Sequence, residues 1–510
     1  MATAKKITIL IPVLLLVFYG FFLTHKTNLI TADLGRHLKN GQEFFQNFSV
    51  NETNLYSYTQ PDYPTINHHW ASGAVFYLAY KYFGFSGLSI FFIILSLLTF
   101  LIFFRVAYRR VGMGVAGLVA LPAIGLMASR IEIRPETFSY LFAGIFLLVL
   151  WGFRDGIISY RQLLVLPVLQ IFWVNLHIYF FLGPLLIGVF LLRSLIVENL
   201  RDQSRKLFNI LSFTALACLV NPAGLAGALV PFNIFRDYGY ALYENQTVWF
   251  IENFLGQPSF YILKAVTALL AISFLLVLFK KKNFAMINFM VGIIFVGMAW
   301  LAVRNIALLG FFALPILSTN IGRAFENEIK EHSLAIDLSA LAAIVIVLIA
   351  AISGSWQYNF SDWRQMGIGL EQGNSAAADF IKKENIKGPI FNDYDIGGYL
   401  IFHLYPQEKV FVDNRPEAYG ADFFKNTYIP MQNDEKKWKQ VEEKYKLNAI
   451  VFSVTDVGEG AQGFLIKRIA DPGWAPVFTD GQIIIFLKRI DLNKQIIQKY
   501  EIPKSNFGIK

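Results

Sequence analysis

Apolar runs of spanning or near-spanning length recur along this 510-residue chain, and no other feature limits its fold so tightly. They fall at about 7–25, 86–104, 111–128, 137–153, 162–176, 179–197, 207–220, 260–279, 284–303, 305–319 and 335–353. A bilayer core about 30 Å thick takes about 20 apolar residues of helix, and in hydrocarbon every backbone N–H and C=O must bond internally, which leaves helices for runs of this kind. The expectation is a polytopic α-helical membrane protein with about eleven transmembrane helices. The runs 162–176 and 305–319 are short and predict helices that stop inside a cavity. The chain is 55% hydrophobic and only 16% charged, outside the range of soluble domains.

Lys5 and Lys6 precede the first run and no small-residue cleavage site follows it, so it reads as a retained helix with its N-terminus in the cytoplasm of a cell membrane. Alternate loops then carry Arg105, Arg109 and Arg110, next Arg154 and Arg161, next Arg193, Arg201, Arg205 and Lys206, then Lys280, Lys281 and Lys282, and last Arg323 and Lys330. Basic residues on that side satisfy the positive-inside rule and account for the net charge of +9, so no nucleic-acid partner is expected. The single cysteine, Cys218, sits in an apolar run, which excludes a disulfide framework or a thiolate metal site and suits a small core residue.

The opposite, outer side receives Asp33, Arg36, His37, His68 and His69 in the first large loop, about 26–85, then Arg130, Glu132, Arg134 and Glu136. Asn175 and His177, Asn221, Arg236, Glu244, Glu252, Arg304 and Asn305 follow on the same side. Charges within a bilayer cost about 2.5–3.5 kcal/mol each on insertion scales, so these residues should face protein or one polar cavity on the outer face. An odd number of spans leaves the tail outside. The expected domains are therefore 1–354, transmembrane and catalytic, and 355–510, a small extracytoplasmic α/β domain. In that tail the strand-like runs GPIFN, KVFVD, NAIVFSV and QIIIFLKR alternate with the helix-like SAAADFIKKENI and DEKKWKQVEEKY, which suggests a largely parallel or mixed sheet. Sequons at Asn47, Asn51, Asn245 and Asn359 matter only in a glycosylating compartment.

In TADLGRHLKNGQEFF, Asp33 and His37 stand four apart, on one face if the segment is helical, with Arg36 beside them. Such a carboxylate could act as a general base toward a hydroxyl, hold His37 in one tautomer, bind a divalent metal with His37, or simply compensate Arg36 at a helix cap. His68 and His69, in NHHW, could donate to a phosphate, ligate a metal, pair with Asp33 or anchor the membrane interface. Arg130, Arg134 and Arg304 carry guanidinium groups suited to a phosphate, whose oxygens accept two charge-assisted hydrogen bonds from one planar fork. Glu132 and Glu136 could neutralise the first two, whereas Arg304 has no acid nearby in sequence and points to a ligand. In the tail, Asp393, Asp395, Asp413 and Arg415 follow predicted strands, where α/β ligand sites tend to lie, although the DNRP and GG elements also suit turns.

The ordered set DLGRHLKNG, NHHW, RIEIRPETFSYL, WVNLHIYF, VNPAG, VRNI, FNDYDIGGYL and VFVDNRPEAYG resembles the GT-C-fold membrane glycosyltransferases, in particular mannosyltransferase-like prokaryotic members that use polyprenyl- or dolichyl-phosphate sugars. The resemblance spans nearly the whole chain. It implies a cell-envelope hexosyltransferase with a polyprenyl-phosphate-linked sugar as donor and a glycan, lipid or protein as acceptor. Asp33 would be the inverting general base, with His37 and His69 at the catalytic centre. Arg36, His68, Arg130, Arg134, Asn175, His177 and Arg304 would bind donor phosphate and substrate, and Asp393, Asp395, Asp413 and Arg415 would form an acceptor site. Asp33 is followed by Leu34, so there is no Asp-Glu pair, and no D-x-D arrangement stands at this position, which removes the main reason to expect a catalytic metal; no cofactor is expected. Other readings of the same cavity are a transporter or flippase, or a non-catalytic binding protein, for a lipid-linked anionic substrate. No internal repeat supports the transporter.

Overall fold

The computed structural model describes residues 2–30, 33–197, 200–233, 236–281, 285–353, 365–456, 458 and 460–507. The expected division at 354/355, the Asn359 sequon, Lys282 and Thr31 lie outside the described residues.

Each of the apolar runs falls on a helix. The first five long helices are α1, Ala2–Leu23; α2, Leu34–Asn47; α3, Trp70–Val111; α4, Met113–Met127; and α5, Glu136–Arg154. Helices Val165–Leu176, Leu182–Ile196, Arg201–Ala217, Pro258–Lys281, Met286–Leu301, Ile306–Ala324 and Ser333–Ile352 carry the other runs. Among the described residues, 6 helices are long and apolar enough to cross a membrane, and four shorter apolar ones accompany them. The chain is an integral membrane protein by this measure. One expectation changes: the run 305–319 is not short, because the helix continues to Ala324. Its polar residues find partners inside the bundle. The Thr319 hydroxyl donates to the Pro315 carbonyl at 2.7 Å, Asn320 Nδ2 donates to Ser273 Oγ at 3.0 Å, and Asn288 Nδ2 donates to Asn320 Oδ1 at 3.0 Å. Satisfied amides of this kind hold helices together in lipid.

Chain contacts define two compact units, each assembled from separated segments. The helical unit comprises Met1–Lys26, Ser89–Pro231 and Leu242–Ile368. Its central helix is Ile306–Ala324, with 89% of its apolar window buried, against 17% for Ser333–Ile352, whose side chains are left for lipid. Phe295 stacks on Phe312 with centroids 3.7 Å apart, and Phe103 and Tyr140 pack on Phe311, which forms an aromatic core around that helix.

The second unit comprises Thr27–Leu88, Phe232–Ala241 and Gly369–Lys510, so the first loop clusters with the tail. The helix α3 runs from one unit into the other, and Gly84 breaks its helical geometry with φ 64° and ψ −168°, a conformation open to glycine alone at little cost. Of the two expected arrangements, largely parallel or mixed, the sheet takes the mixed one: strands β1, Ile390–Asn392; β2, Ala449–Ser453; β3, Trp474–Thr479; and β4, Ile483–Lys488 lie in the order β1-β2-β4-β3. β1 pairs parallel with β2, and the other pairs are antiparallel. Two strand assignments differ from the sequence reading. KVFVD is not a ladder strand, because side chains take its backbone groups: Asn392 Oδ1 accepts from the Phe411 N–H at 2.9 Å and Asn392 Nδ2 donates to the Val412 carbonyl at 2.7 Å. Trp474–Thr479, with no clean alternation, forms the strand instead. Phe391 is the hub of this unit's core, touching Phe411, Trp438, Phe452 and Phe464.

Candidate functional site

In the second unit the site begins at α2. Every residue of α2 from Leu34 to Gly41 is buried, the polar Arg36, His37, Lys39 and Asn40 included, and a Cβ at Gly41 would lie 2.1 Å from the Gly73 carbonyl oxygen of α3. That close crossing brings His37 of α2 against His69, just before α3, with ring centroids 5.6 Å apart, and His69 lies 3.9 Å from His68. Asp33 occupies the N-cap position of α2, where an aspartate ordinarily accepts from the first helical N–H groups. Its side chain makes no capping hydrogen bond. Instead Asp33 Oδ2 accepts from Arg36 at 3.3 Å and lies 3.3 Å from His37 Nε2. The Asp33 side chain keeps 22% of its exposure while that of His37 keeps 1%, so the carboxylate is the most exposed member of this trio.

The tail supplies the rest of this cluster. Arg36 Nε donates to Asn414 Oδ1 at 3.1 Å. Next to it Arg415 donates to both oxygens of Asp413 at 2.7 Å and to Asn54 Oδ1 at 2.7 Å, and the Tyr419 hydroxyl donates to Asp413 at 2.9 Å. Burial opposes the Asp413 charge, but Arg415 and Arg36 outweigh it and hold the carboxyl below its usual range. A small pocket of about 20 Å³, close to the space one water needs, is lined by Arg36, His68, His69, Arg415 and Glu417 among others. Burial pushes the Glu417 carboxyl up. The structure thus joins Asp33, Arg36, His37, His68 and His69 with Asp413 and Arg415.

Asp393 and Asp395 do not belong to that cluster. Asp393 is fully buried, accepting from the Ile396 N–H at 2.9 Å and from the Ser453 N–H, so it fastens the turn after β1 to the end of β2. Burial, Asp456 and Asp395 push its carboxyl well up. Asp395 reaches solvent, yet surrounding protein and the neighbouring Asp456 push it up to about 6. The expected acceptor group is therefore divided: Asp413 and Arg415 sit with Asp33, whereas Asp393 serves a turn.

In the helical unit, Arg130, Arg134 and Arg304 do come together, around Glu244. Arg130 makes a two-pronged pair with Glu136 at 2.7 and 3.2 Å and reaches Glu244 at 2.8 Å. Arg134 pairs with Glu132 at 2.6 Å and Glu244 at 3.3 Å, and Arg304 meets Glu244 at 3.2 Å and Asn245 Oδ1 at 3.1 Å. Burial works against the Glu244 charge, but Arg304, Arg130 and Arg134 overcome it and hold the carboxyl well below the usual range. Arg304, isolated from acids in the sequence, thus has a protein counter-ion 60 residues upstream, a correction to its reading as a ligand-facing charge. Its buried Nε has no hydrogen-bond partner among the described residues. Glu244 was the residue missed as a site member. Its sequence context, YENQT in a loop, gives no sign of which cations it will meet.

Asn175 and His177 serve the framework. Asn175 Nδ2 donates to the carbonyls of Ile171 and Val220, both at 2.8 Å, tying two helix ends together. His177 is buried, its Nδ1 2.8 Å from Ser139 Oγ, which in turn accepts from Trp173 Nε1 at 2.8 Å. Among the described residues no group of three or more His, Cys, Asp or Glu is placed to hold a metal ion, so Asp33 and His37 are at most two of the ligands one would need.

No protein-family model and no curated protein matches the sequence. Solved structures do match in fold. The oligosaccharyltransferase AglB from Archaeoglobus fulgidus, in complex with an inhibitory peptide and a dolichol-phosphate, superposes with TM-score 0.60 at 12% identity over 96% of this chain and 74% of its own. ArnT from Cupriavidus metallidurans, without ligand, gives 0.55 at 12% over 95% and 98%, and its complex with undecaprenyl phosphate gives 0.51 at 13%. The arabinofuranosyltransferase AftD from Mycobacteria gives 0.53 at 12% over 96% of this chain and 40% of its own.

Proposed function

We propose that this chain, which has the GT-C fold of membrane glycosyltransferases, transfers a sugar from a polyprenyl-phosphate-linked donor to an acceptor hydroxyl on the outer face of a cell membrane, with inversion. The observation that carries the reading is Asp33: a part-exposed carboxylate at a helix start that caps nothing and is held by Arg36 and buried His37. A general base needs this combination of fixed orientation and access. Asp33 takes the proton from the acceptor hydroxyl as that oxygen attacks the anomeric carbon. The bond from the anomeric carbon to the phosphate oxygen breaks on the opposite side, and the lipid phosphate departs with the electron pair. Within the same unit, Arg36 and the paired His68 and His69 are the donors available to the developing phosphate charge. Asp413 and Arg415 neutralise each other beside Arg36 and orient the loop that carries Asn414. AglB and ArnT have been solved with dolichol-phosphate and undecaprenyl phosphate, which supports a polyprenyl carrier as the donor class.

The test follows radiolabelled sugar from a panel of polyprenyl-phosphate donors with the full chain in nanodiscs. Wild type should release or transfer sugar from at least one donor, and Asp33→Asn should lose about 10²–10⁴-fold of that rate with its thermal midpoint unchanged. Normal transfer by Asp33→Asn would remove Asp33 as the base. Intact donors in every case, with one still bound, would favour a lipid-binding or transport role.

A further inference from the structure

At the opposite end of the helical unit from the Glu244 cluster lies a cavity of about 1210 Å³ that the proposed reaction does not use. The 15-residue helix α4 separates the two, about 22 Å of helix. Six cations line the cavity: Arg109, Arg110, Arg154, Arg193, Arg323 and Lys330. Three acids also line it, and each is already engaged. Asp155 is shared by Arg110 and Arg154. Glu326 pairs with Lys330 at 2.8 Å, and Asp337 accepts from the backbone of Gly114 at the start of α4. Arg109, Arg193 and Arg323 have no carboxylate partner among the described residues, and Arg193 stands within electrostatic reach of Arg154.

The positive-inside rule accounts for basic loops, but it asks only for charges in water. Here Arg110 and Arg154 keep 26% and 21% of their side-chain exposure, and both guanidinium groups are held over the Trp151 ring, at 5.2 and 5.3 Å from its centroid. Two guanidinium groups share one carboxylate in a recess and a third, Arg193, stands near Arg154, which is unfavourable until an anion enters. Val115, Ile287 and Ile336 line the same space, so an apolar tail is accommodated beside the charge. The volume exceeds the roughly 300–1,000 Å³ of drug-sized pockets.

We propose that this cavity is a second binding site, for a phosphate-bearing group, whose apolar lining fits the head-group region of an anionic lipid. Native mass spectrometry on the full-length protein tests it by comparing retention of phosphatidylglycerol and phosphatidylcholine, with inorganic phosphate as competitor. Wild type should prefer phosphatidylglycerol, and Arg193→Ala/Arg323→Ala should weaken that binding by about tenfold or more. Arg201→Ala/Arg205→Ala, which removes exposed cations outside the cavity, should leave it unchanged. Displacement of the lipid by inorganic phosphate identifies the lipid phosphate as the recognised group. Binding of inorganic phosphate without phosphatidylglycerol assigns the same chemistry to a soluble phosphate. Equal retention of the two lipids with no phosphate binding, or undiminished binding by the Arg193/Arg323 variant, overturns the proposal. Where the alanine variant fails to fold, the wild-type lipid preference and phosphate competition decide, with Arg193→Lys/Arg323→Lys as the charge-keeping check.

Discussion

Asp413 and Arg415 illustrate how much of this site depends on pairing. The carboxylate is fully buried and its partner keeps 13% of its exposure, so removing the cation leaves an uncompensated buried charge. Arg415→Met should cost about 3–5 kcal/mol, read as a lowered midpoint in thermal unfolding, and Asp413→Asn added to it should recover part of the loss. Asp395 makes a pH prediction. Its carboxyl is pushed up to about 6 from an ordinary 3.8, so folding favours its neutral form. Its contribution to stability is greatest at and below the ordinary carboxylate range and is lost as the pH rises through about 6. The midpoint of Asp395→Asn relative to wild type should therefore rise between about pH 4 and pH 7.5. A constant difference across that range would show that Asp395 titrates normally. Of these residues, the sequence marked Asp33 and Arg36 by proximity, but the partnership of Arg36 with Asn414, 378 positions away, is visible only in the fold.

At the scale of elements, α2 sets the geometry of the Asp33 trio through its crossing with α3. A Cβ at Gly41 would meet the Gly73 carbonyl and the Tyr77 Cβ at 2.1 and 2.6 Å, and backbone cannot yield as a flexible side chain would. Gly41→Ala should destabilise the protein by about 1–3 kcal/mol and reduce transfer together with the midpoint, unlike Asp33→Asn, which spares the midpoint. Loss of activity at an unchanged midpoint in Gly41→Ala would place its role in the chemistry instead. The helices were legible because apolar runs this long have one solution in lipid. The strand at Trp474–Thr479 was not legible, since Pro476 and a register shift between Pro476 and Phe478 disguise its pattern. KVFVD had the right pattern and no ladder, because Asn392 and the Ser57 bridge to Val410 took its backbone groups.

For the whole molecule, the charge asymmetry of the loops predicts one orientation. In a Cys218→Ala background, Lys494→Cys should react with a membrane-impermeant maleimide on intact cells, and Lys280→Cys should react only after the membrane is opened. The reverse pattern would put the Asp33 unit in the cytoplasm and remove the proposed site from an outer-face donor. Cys218 is buried and contacts Gln170 at 3.2 Å, a small core residue as its apolar run suggested.

Membrane class, helix positions, a small α/β tail and a resemblance to GT-C glycosyltransferases were determined by the sequence alone, because burial in lipid and the alternation of strand-like with helix-like runs act over short stretches of chain. Which charges meet was decided only by tertiary structure. Arg304 finds Glu244 across 60 positions, and the first loop segregates with the tail rather than with α1, which precedes it. An ion pair requires proximity in space and a shared low-dielectric setting. Neither is encoded in the local pattern of residues, so the same arginine read as a ligand site in sequence becomes one arm of a neutral cluster in the folded chain.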